Sequence, residues 1–340
     1  MKKILLIILF VTQCLFSYSE KRVLLVGIGH YPKNSGWQEI SSTNDIDLLK
    51  AMFSAYNLQI LLDEEATHEK IKHALKSLCN SIQKGDTILI HFSCHGQQML
   101  PLKDNREVDK LDEALVPYDA HSTCSPAYDG RNHLRDDEMG LLIDSIRKKA
   151  GSDGLVLLTI DACFSDSMNK GLPKTKDKYR GGADIFGANN ISKDSLNKLL
   201  VDRTKEEPET TIKKQGIADI LILSACKSYQ RNKEVVVRGM GFGSLSYAMY
   251  ASYKKIGLSN LYKWLDGIYE QMQELAFTQT PQIRTTLGYS FPAKKSSKKH
   301  FPNKTNEVTN ECHIRTILAF SSLIGLTILV FLWLKLKRKL

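Results

Sequence analysis

The chain of 340 residues has seven cysteines, yet no two of them form a CxxC pair and none stands at a zinc-type spacing from a histidine. That excludes a structural metal finger. There is no internal repeat. A basic footprint is also missing where a nucleic-acid domain would need one. The formal net charge is +10, but Lys2, Lys3, five lysines between Lys294 and Lys304, and Lys335, Lys337, Arg338 and Lys339 carry the excess. The stretch from about Glu20 to Pro292 is therefore close to neutral, and no nucleic-acid partner is expected. With 42% hydrophobic and 25% charged residues, the composition fits neither a disordered, nor a collagen-like, nor a polytopic membrane chain.

Long apolar runs are confined to the two ends. Lys2 and Lys3 precede an apolar run from Ile4 to Val11, and Ser17-Tyr18-Ser19 offers a small-x-small cleavage site. Residues 1–19 read as a secretory signal peptide, with an uncleaved anchor as the alternative. A lipoprotein reading through Cys14 is weaker, because the bulky Gln13 precedes it. Thr316 to Leu334 is an uncharged run of about 19 residues, long enough at roughly 1.5 Å per residue to cross a hydrocarbon core of about 30 Å. It stops against Lys335, Lys337, Arg338 and Lys339, so the positive-inside rule leaves residues 335–340 as a cytoplasmic basic tail. The expectation is a single-pass membrane protein whose body faces away from the cytoplasm. Residues 291–315, rich in Lys, Ser, Pro and Asn, read as a tether.

Between the ends, short Val/Ile/Leu runs alternate with helical periodicity. Strands are expected at Arg22 to Ile28, Asn57 to Leu62, Asp86 to Ser93, Gly154 to Asp161 and Ile217 to Cys226. Helices are expected at Asn44 to Tyr56, Thr67 to Gln83, Asp136 to Lys149, Gly243 to Tyr253 and Asn260 to Ala276. Continuous apolar strands separated by helices imply one α/β domain over residues 20–290, with a mostly parallel sheet covered on both faces. Gln97 to Arg135 and Ser167 to Gln215 break this rhythm as long polar connections.

Ligands of open parallel sheets bind beyond the carboxyl ends of the strands. There the third strand runs into Ser93-Cys94-His95-Gly96 and the fourth into Asp161-Ala162-Cys163-Phe164-Ser165. If these strands are neighbours, an imidazole meets a thiol, the minimal set for nucleophilic catalysis. Gly96 leaves its N–H open to a substrate carbonyl and, with the N–H of Cys163, could form an oxyanion hole. Taken singly, each residue has a blander reading as a buried structural thiol or a satisfied core histidine. Cys94 and Cys226 are rival nucleophiles, discounted because Cys94 adjoins the histidine on an alternating strand and Cys226 lacks a nearby acid or glycine turn. The cysteines near apolar strands and helices are expected to be buried free thiols rather than a disulfide framework.

At these residues the sequence resembles the caspase-like cysteine peptidases, and within them the metacaspases and their bacterial relatives. An apolar strand running into S-x-H-G appears as Ile88 to Gly96, and one running into D-x-C-x-S-G appears as Leu157 to Asp166, with Asp166 in the usual glycine position. The resemblance extends to Asn44-Asp45, to Leu111 through Asp119, to Leu223-Ser224-Ala225-Cys226 with Glu234, and to Gly241-Phe242-Gly243-Ser244. It implies a caspase-like three-layer sandwich and an endopeptidase with Cys163 as nucleophile and His95 as general base and acid. It also implies a substrate pocket lined by Asp45 and Asp161, with Ser93 beside them, that accepts Lys or Arg. For Asp45 the plain alternative is an acid favoured by the helix dipole. A Cys–His pair requires no cofactor. Several metacaspases bind calcium through carboxylates after the histidine and one acid past the cysteine; Asp112 and Glu113 match the first group, but Asn169 and Lys170 leave the set incomplete, so the resemblance leaves calcium open.

Peptide or protein substrates with a basic P1 residue are the expected partners. The basic, polar stretch after Cys163 offers many such residues, so self-cleavage within about Lys170 to Lys214 is expected, with an uncut insertion as the alternative. Two other readings remain: a catalytically silent caspase-like receptor or scaffold, and a legumain-like or transamidase-like peptidase.

Overall fold

A computed structural model of the chain describes residues 19–101, 111–164, 178–182, 184–192, 194, 214–276 and 278–292. Its centre is a six-stranded sheet. β1 (Lys21–Gly27), β2 (Asn57–Leu62), β3 (Thr87–Ser93), β7 (Leu155–Asp161) and β8 (Asp219–Ser224) run parallel, and β11 (Gln282–Thr285) closes one edge antiparallel, in the order β11-β8-β7-β3-β1-β2.

Both faces are covered because successive residues of each strand are apolar and point to opposite sides of the sheet. Leu24 and Val26 of β1, Ile88, Ile90 and Phe92 of β3, and Val156, Leu158 and Ile160 of β7 face one core. The helices His68–Ser81 and Asp136–Ala150 close that core with Ile71, Leu75, Ile143 and Ile146. Val23, Leu25, Leu89 and Leu157 face the other, under helices Ser42–Met52, Ser244–Ile256 and Leu261–Leu275, which contribute Ile46, Leu49, Leu245, Met249, Trp264 and Ile268. Each such side chain contributes about 1.5–3 kcal/mol through burial, and only the three-layer arrangement buries both sets. Charge supports the helix ends: Asp136–Ala150 opens with Asp136, Asp137 and Glu138 and closes with Arg147, Lys148 and Lys149.

Two regions carry strands that the polar pattern hides. Within the Gln97-to-Arg135 excursion, β4 (Gly96–Met99), β5 (Asp112–Leu115) and β6 (Leu134–Arg135) form a small antiparallel sheet, and β9 (Val235–Val237) pairs with β10 (Met240–Phe242) in a hairpin. These strands have two to four residues and include Gln97, Gln98 and Glu113, so no apolar alternation announces them. Among the described residues, Cys79, Cys94, Cys124, Cys163 and Cys226 are not joined in disulfides. Among the described residues no helix is long and apolar enough to cross a membrane. The leader, the tether and the 316–334 run lie outside the described residues.

Candidate active site

β3 and β7 are neighbours, with Ser93 opposite Asp161, so His95 and Cys163 each stand two residues beyond paired positions at the carboxyl edge of the sheet. The His95 ring stacks on Trp37 at 4.9 Å between centroids and leans on Tyr31 at 5.3 Å. The Tyr31 hydroxyl accepts from the His95 N–H (3.2 Å) and donates to the Val116 carbonyl (3.0 Å). Nε2 of His95 lies 2.8 Å from the Gln38 carbonyl oxygen. A carbonyl only accepts, so the proton of the neutral ring is on Nε2 and the lone pair is on Nδ1. Nδ1 is buried and without a hydrogen-bond partner. Burial lowers the imidazole to about 4, against the upward pull of the Gln38 bond, so the ring is a neutral base across the physiological range.

The Cys163 thiol donates to the Gln230 carbonyl at 2.9 Å. Cys226 directs its thiol to the same oxygen at 3.4 Å, and a hydrogen bond with the Cys163 side chain, together with burial, pushes it well up. Cys94 is buried and pushed up to about 12. Both neighbouring thiols are therefore held protonated.

Beside this pair lies a fully buried pocket built from four elements. Asp45, in the first turn of Ser42–Met52, accepts from Ser93 Oγ (2.7 Å) and from the Gly243 N–H (2.9 Å). Asp161, the last residue of β7, accepts from Asn232 Nδ2 (2.7 Å), and from both the N–H (2.7 Å) and the hydroxyl (2.6 Å) of Ser246 at the start of Ser244–Ile256. Glu234 accepts from Ser41 through both N–H (2.6 Å) and hydroxyl (2.9 Å). The guanidinium of Arg180 sits among them, 2.7 Å from Asp45, 2.9 Å from Glu234 and 3.8 Å from Asp161, and also donates to Ser93 Oγ at 2.7 Å.

Burial pushes Asp45 to about 6, because Arg180 and the hydrogen bonds only partly offset desolvation. Burial pushes Asp161 the same way, but Arg180, Asn232 and Ser246 outweigh it and hold this carboxyl below its usual value. Three carboxylates raise Arg180 despite its burial. A Cβ at Gly243 would collide with both the Asp161 carboxylate and the guanidinium, so glycine there keeps the pocket open to a planar cation.

The Arg180 carbonyl oxygen accepts from two backbone N–H groups, that of Cys163 at 2.7 Å and that of Gly96 at 3.3 Å. A Cβ on Gly96 would lie 2.7 Å from the Cys163 carbonyl oxygen, so this approach of the two strand ends requires glycine.

The six residues singled out from the sequence, Cys163, His95, Gly96, Asp45, Asp161 and Ser93, stand at this end of the sheet: Asp45, Asp161 and Ser93 meet around Arg180, whereas the Cys163 thiol and the His95 ring bond to separate carbonyls, those of Gln230 and Gln38. Several contributors were assigned no role from the sequence. Glu234 supplies a third carboxylate from a polar loop; Asn232 and Ser246 hold Asp161 by hydrogen bonds, and Gln38 holds the His95 ring. Only the recurrence of Glu234 within a family motif hinted at its place. Asp112, one of the two acids that suggested calcium, pairs with Arg135, and no group of three His, Cys, Asp or Glu among the described residues could hold a metal. Asp166, Asn169 and Lys170 lie outside the described residues.

Comparison with known proteins decides the family. The caspase domain model of the C14 peptidases matches residues 20–291. The chain belongs to the caspase-domain peptidase family. Its curated relatives include metacaspase-1B of Aspergillus clavatus, 24% identical over 306 residues that span 79% of this chain and 70% of that protein. Metacaspase-1 of Eremothecium gossypii is 25% identical over 316 residues, spanning 79% of this chain and 65% of that protein. The fold is shared with a crystal structure of a Geobacter sulfurreducens protein, at TM-score 0.54 and 20% identity, covering 78% of this chain and 93% of that one. This caspase-domain protein is therefore a metacaspase-like member of a cysteine peptidase family on an α/β fold with a mostly parallel sheet.

Proposed function

We propose that this protein is a cysteine endopeptidase that cleaves after Arg or Lys. The observation that carries this reading is the pocket itself: Asp45, Asp161 and Glu234 surround a fully buried guanidinium beside two converging backbone N–H groups. A buried carboxylate cluster without a cation would be costly, so the pocket favours basic side chains.

In the proposed mechanism the thiol of Cys163 turns from the Gln230 carbonyl to Nδ1 of His95 and loses its proton. The thiolate attacks the carbonyl carbon after the basic residue. The N–H groups of Gly96 and Cys163 stabilise the oxyanion. His95 Nδ1 then protonates the leaving amine, while its Nε2–H bond to Gln38 keeps the tautomer fixed. Water hydrolyses the thioester and restores the thiol. No cofactor enters these steps.

The sequence pattern at the two ends supports a single-pass protein with its catalytic domain outside the cytoplasm and residues 335–340 inside. A fluorogenic peptide panel with Arg, Lys, Asp or Asn at P1 tests the activity. The full chain is expected to cut after Arg and Lys and the Cys163→Ala variant after none; efficient cleavage after Asp would contradict the reading. The same panel addresses the alternatives, since a silent scaffold cuts nothing and a legumain-like enzyme cuts after Asn.

A further inference from the structure

His91 interrupts the apolar run of β3, and Thr159 stands opposite it on β7. Both are fully buried, on the face of the sheet that Leu89 and Leu157 otherwise line with apolar side chains. An imidazole or a hydroxyl is costly there unless its hydrogen bonds are made. The catalytic steps above use neither residue, yet their bonds lead to the pocket.

The protons of this network follow by elimination. Asp161 is held below its usual value, so it is an ionised carboxylate that only accepts. Ser246 Oγ lies 2.6 Å from Asp161 Oδ2 and 3.2 Å from Nε2 of His91. The hydroxyl has one proton, and the shorter bond to the charged acceptor takes it. Ser246 Oγ is then left to accept, so Nε2 of His91 carries the ring proton. Burial lowers His91 to about 4, which keeps the ring neutral and makes Nδ1 an acceptor. Thr159 therefore donates to Nδ1 at 2.8 Å rather than to the Ile90 carbonyl at 3.4 Å. The opposite tautomer would set Nε2 against a hydroxyl lone pair, with no donor. One directed chain results: Thr159 to His91, His91 to Ser246, Ser246 to Asp161. It ends on Oδ2, the oxygen that also accepts the Ser246 N–H at 2.7 Å and lies 3.8 Å from the Arg180 guanidinium.

We propose that His91 is a positioning residue for substrate recognition: its Nε2–H fixes the Ser246 hydroxyl with its proton on Asp161, and so holds that carboxylate facing the basic side chain of a substrate. The proposal rests on the peptidase reading above and deepens it, placing one determinant of Arg and Lys recognition inside the sheet, behind the pocket wall. His91 acts only through Ser246. Its contribution comes from hydrogen bonds that polarise one another in series, in surroundings from which water is excluded.

The test compares wild type, His91→Leu, His91→Gln, Ser246→Ala and the His91→Leu/Ser246→Ala double variant in hydrolysis of an Arg peptide. Alkylation of Cys163 by iodoacetamide, a small neutral reagent that does not use the pocket, is measured in parallel. His91→Leu should lower kcat/KM about three- to ten-fold, mainly by raising KM, the loss expected of one buried hydrogen bond. Its alkylation rate should match wild type. His91→Gln, whose amide can donate to Ser246, should stay within about two-fold of wild type. In the Ser246→Ala background His91→Leu should add no further loss. Should His91→Leu fail to fold, His91→Asn replaces it: a shorter amide reaches Thr159 but not Ser246, so it should lose activity where His91→Gln does not. Unchanged kcat/KM in both His91→Leu and His91→Asn, losses that add fully to that of Ser246→Ala, or alkylation slowed in step with hydrolysis would overturn this inference and leave the peptidase reading standing. A wild type that hydrolyses no Arg peptide would overturn both.

Discussion

Asp45 and Asp161 are both fully buried, yet their environments move them in opposite directions. Asp45, pushed up to about 6, binds its proton more tightly folded than unfolded. Its contribution to stability is therefore present below about pH 4, the unfolded value, and is lost as pH rises through about 6. Asp161, held low, contributes above about pH 4 and loses that contribution as pH falls further. Recognition of a basic side chain needs Asp45 ionised, so kcat/KM for Arg peptides should rise through an ionisation near or above pH 6. That limb belongs to Asp45 and not to His95, whose burial holds it at about 4. Asp45→Asn should lower kcat/KM roughly ten- to a hundred-fold, the loss expected of one charge-assisted contact of about 1.5–3 kcal/mol, and should remove the limb. A pH–rate profile of wild type and variant checks both. Cys163→Ala should lose at least about a thousand-fold in rate with its fold intact, checked by activity and circular dichroism together.

At the scale of elements, the pocket depends on where Ser244–Ile256 begins. Ser246, in its first turn, gives both N–H and hydroxyl to Asp161, so the helix terminus and a side chain act on one carboxylate. Ser246→Ala removes a hydrogen bond to a charged group and should cost about 1.5–3 kcal/mol, read by urea unfolding in a Cys163→Ala background. The elements that build the sheet could be read from the sequence, because β1, β3, β7 and β8 are continuous apolar runs that two covered faces require. The strand ends followed, and with them His95 and Cys163. What escaped was whatever depends on a long-range partner. β4 and β5 expose no alternation, since Gln97 is buried through bonds to Ser122 and Asp184 rather than by apolar packing. Glu234 stands 189 residues beyond Asp45 and 73 beyond Asp161 in the chain, and only the fold brings the three together around Arg180. Arg180 was one basic residue among many in a polar stretch, and only its bonds to three buried carboxylates distinguish it.

For the whole molecule, the proposed anchor and the proposed peptidase make separate predictions. The full chain should remain with membranes through alkaline extraction, whereas a chain ending at residue 315 should be released to the supernatant; equal partitioning of the two would remove the 316–334 run as an anchor. The central claim concerns one sulfur atom and one pocket. It is tested most directly by treating the folded protein, once it hydrolyses Arg peptides and its pocket is therefore open, with an Arg chloromethyl ketone and mapping the adduct by peptide mass spectrometry. The account predicts a single adduct on Cys163, suppressed by excess Arg peptide and not formed by the matching Asp ketone. An adduct on Cys94 or Cys226, or equal labelling by the Asp reagent, would contradict it.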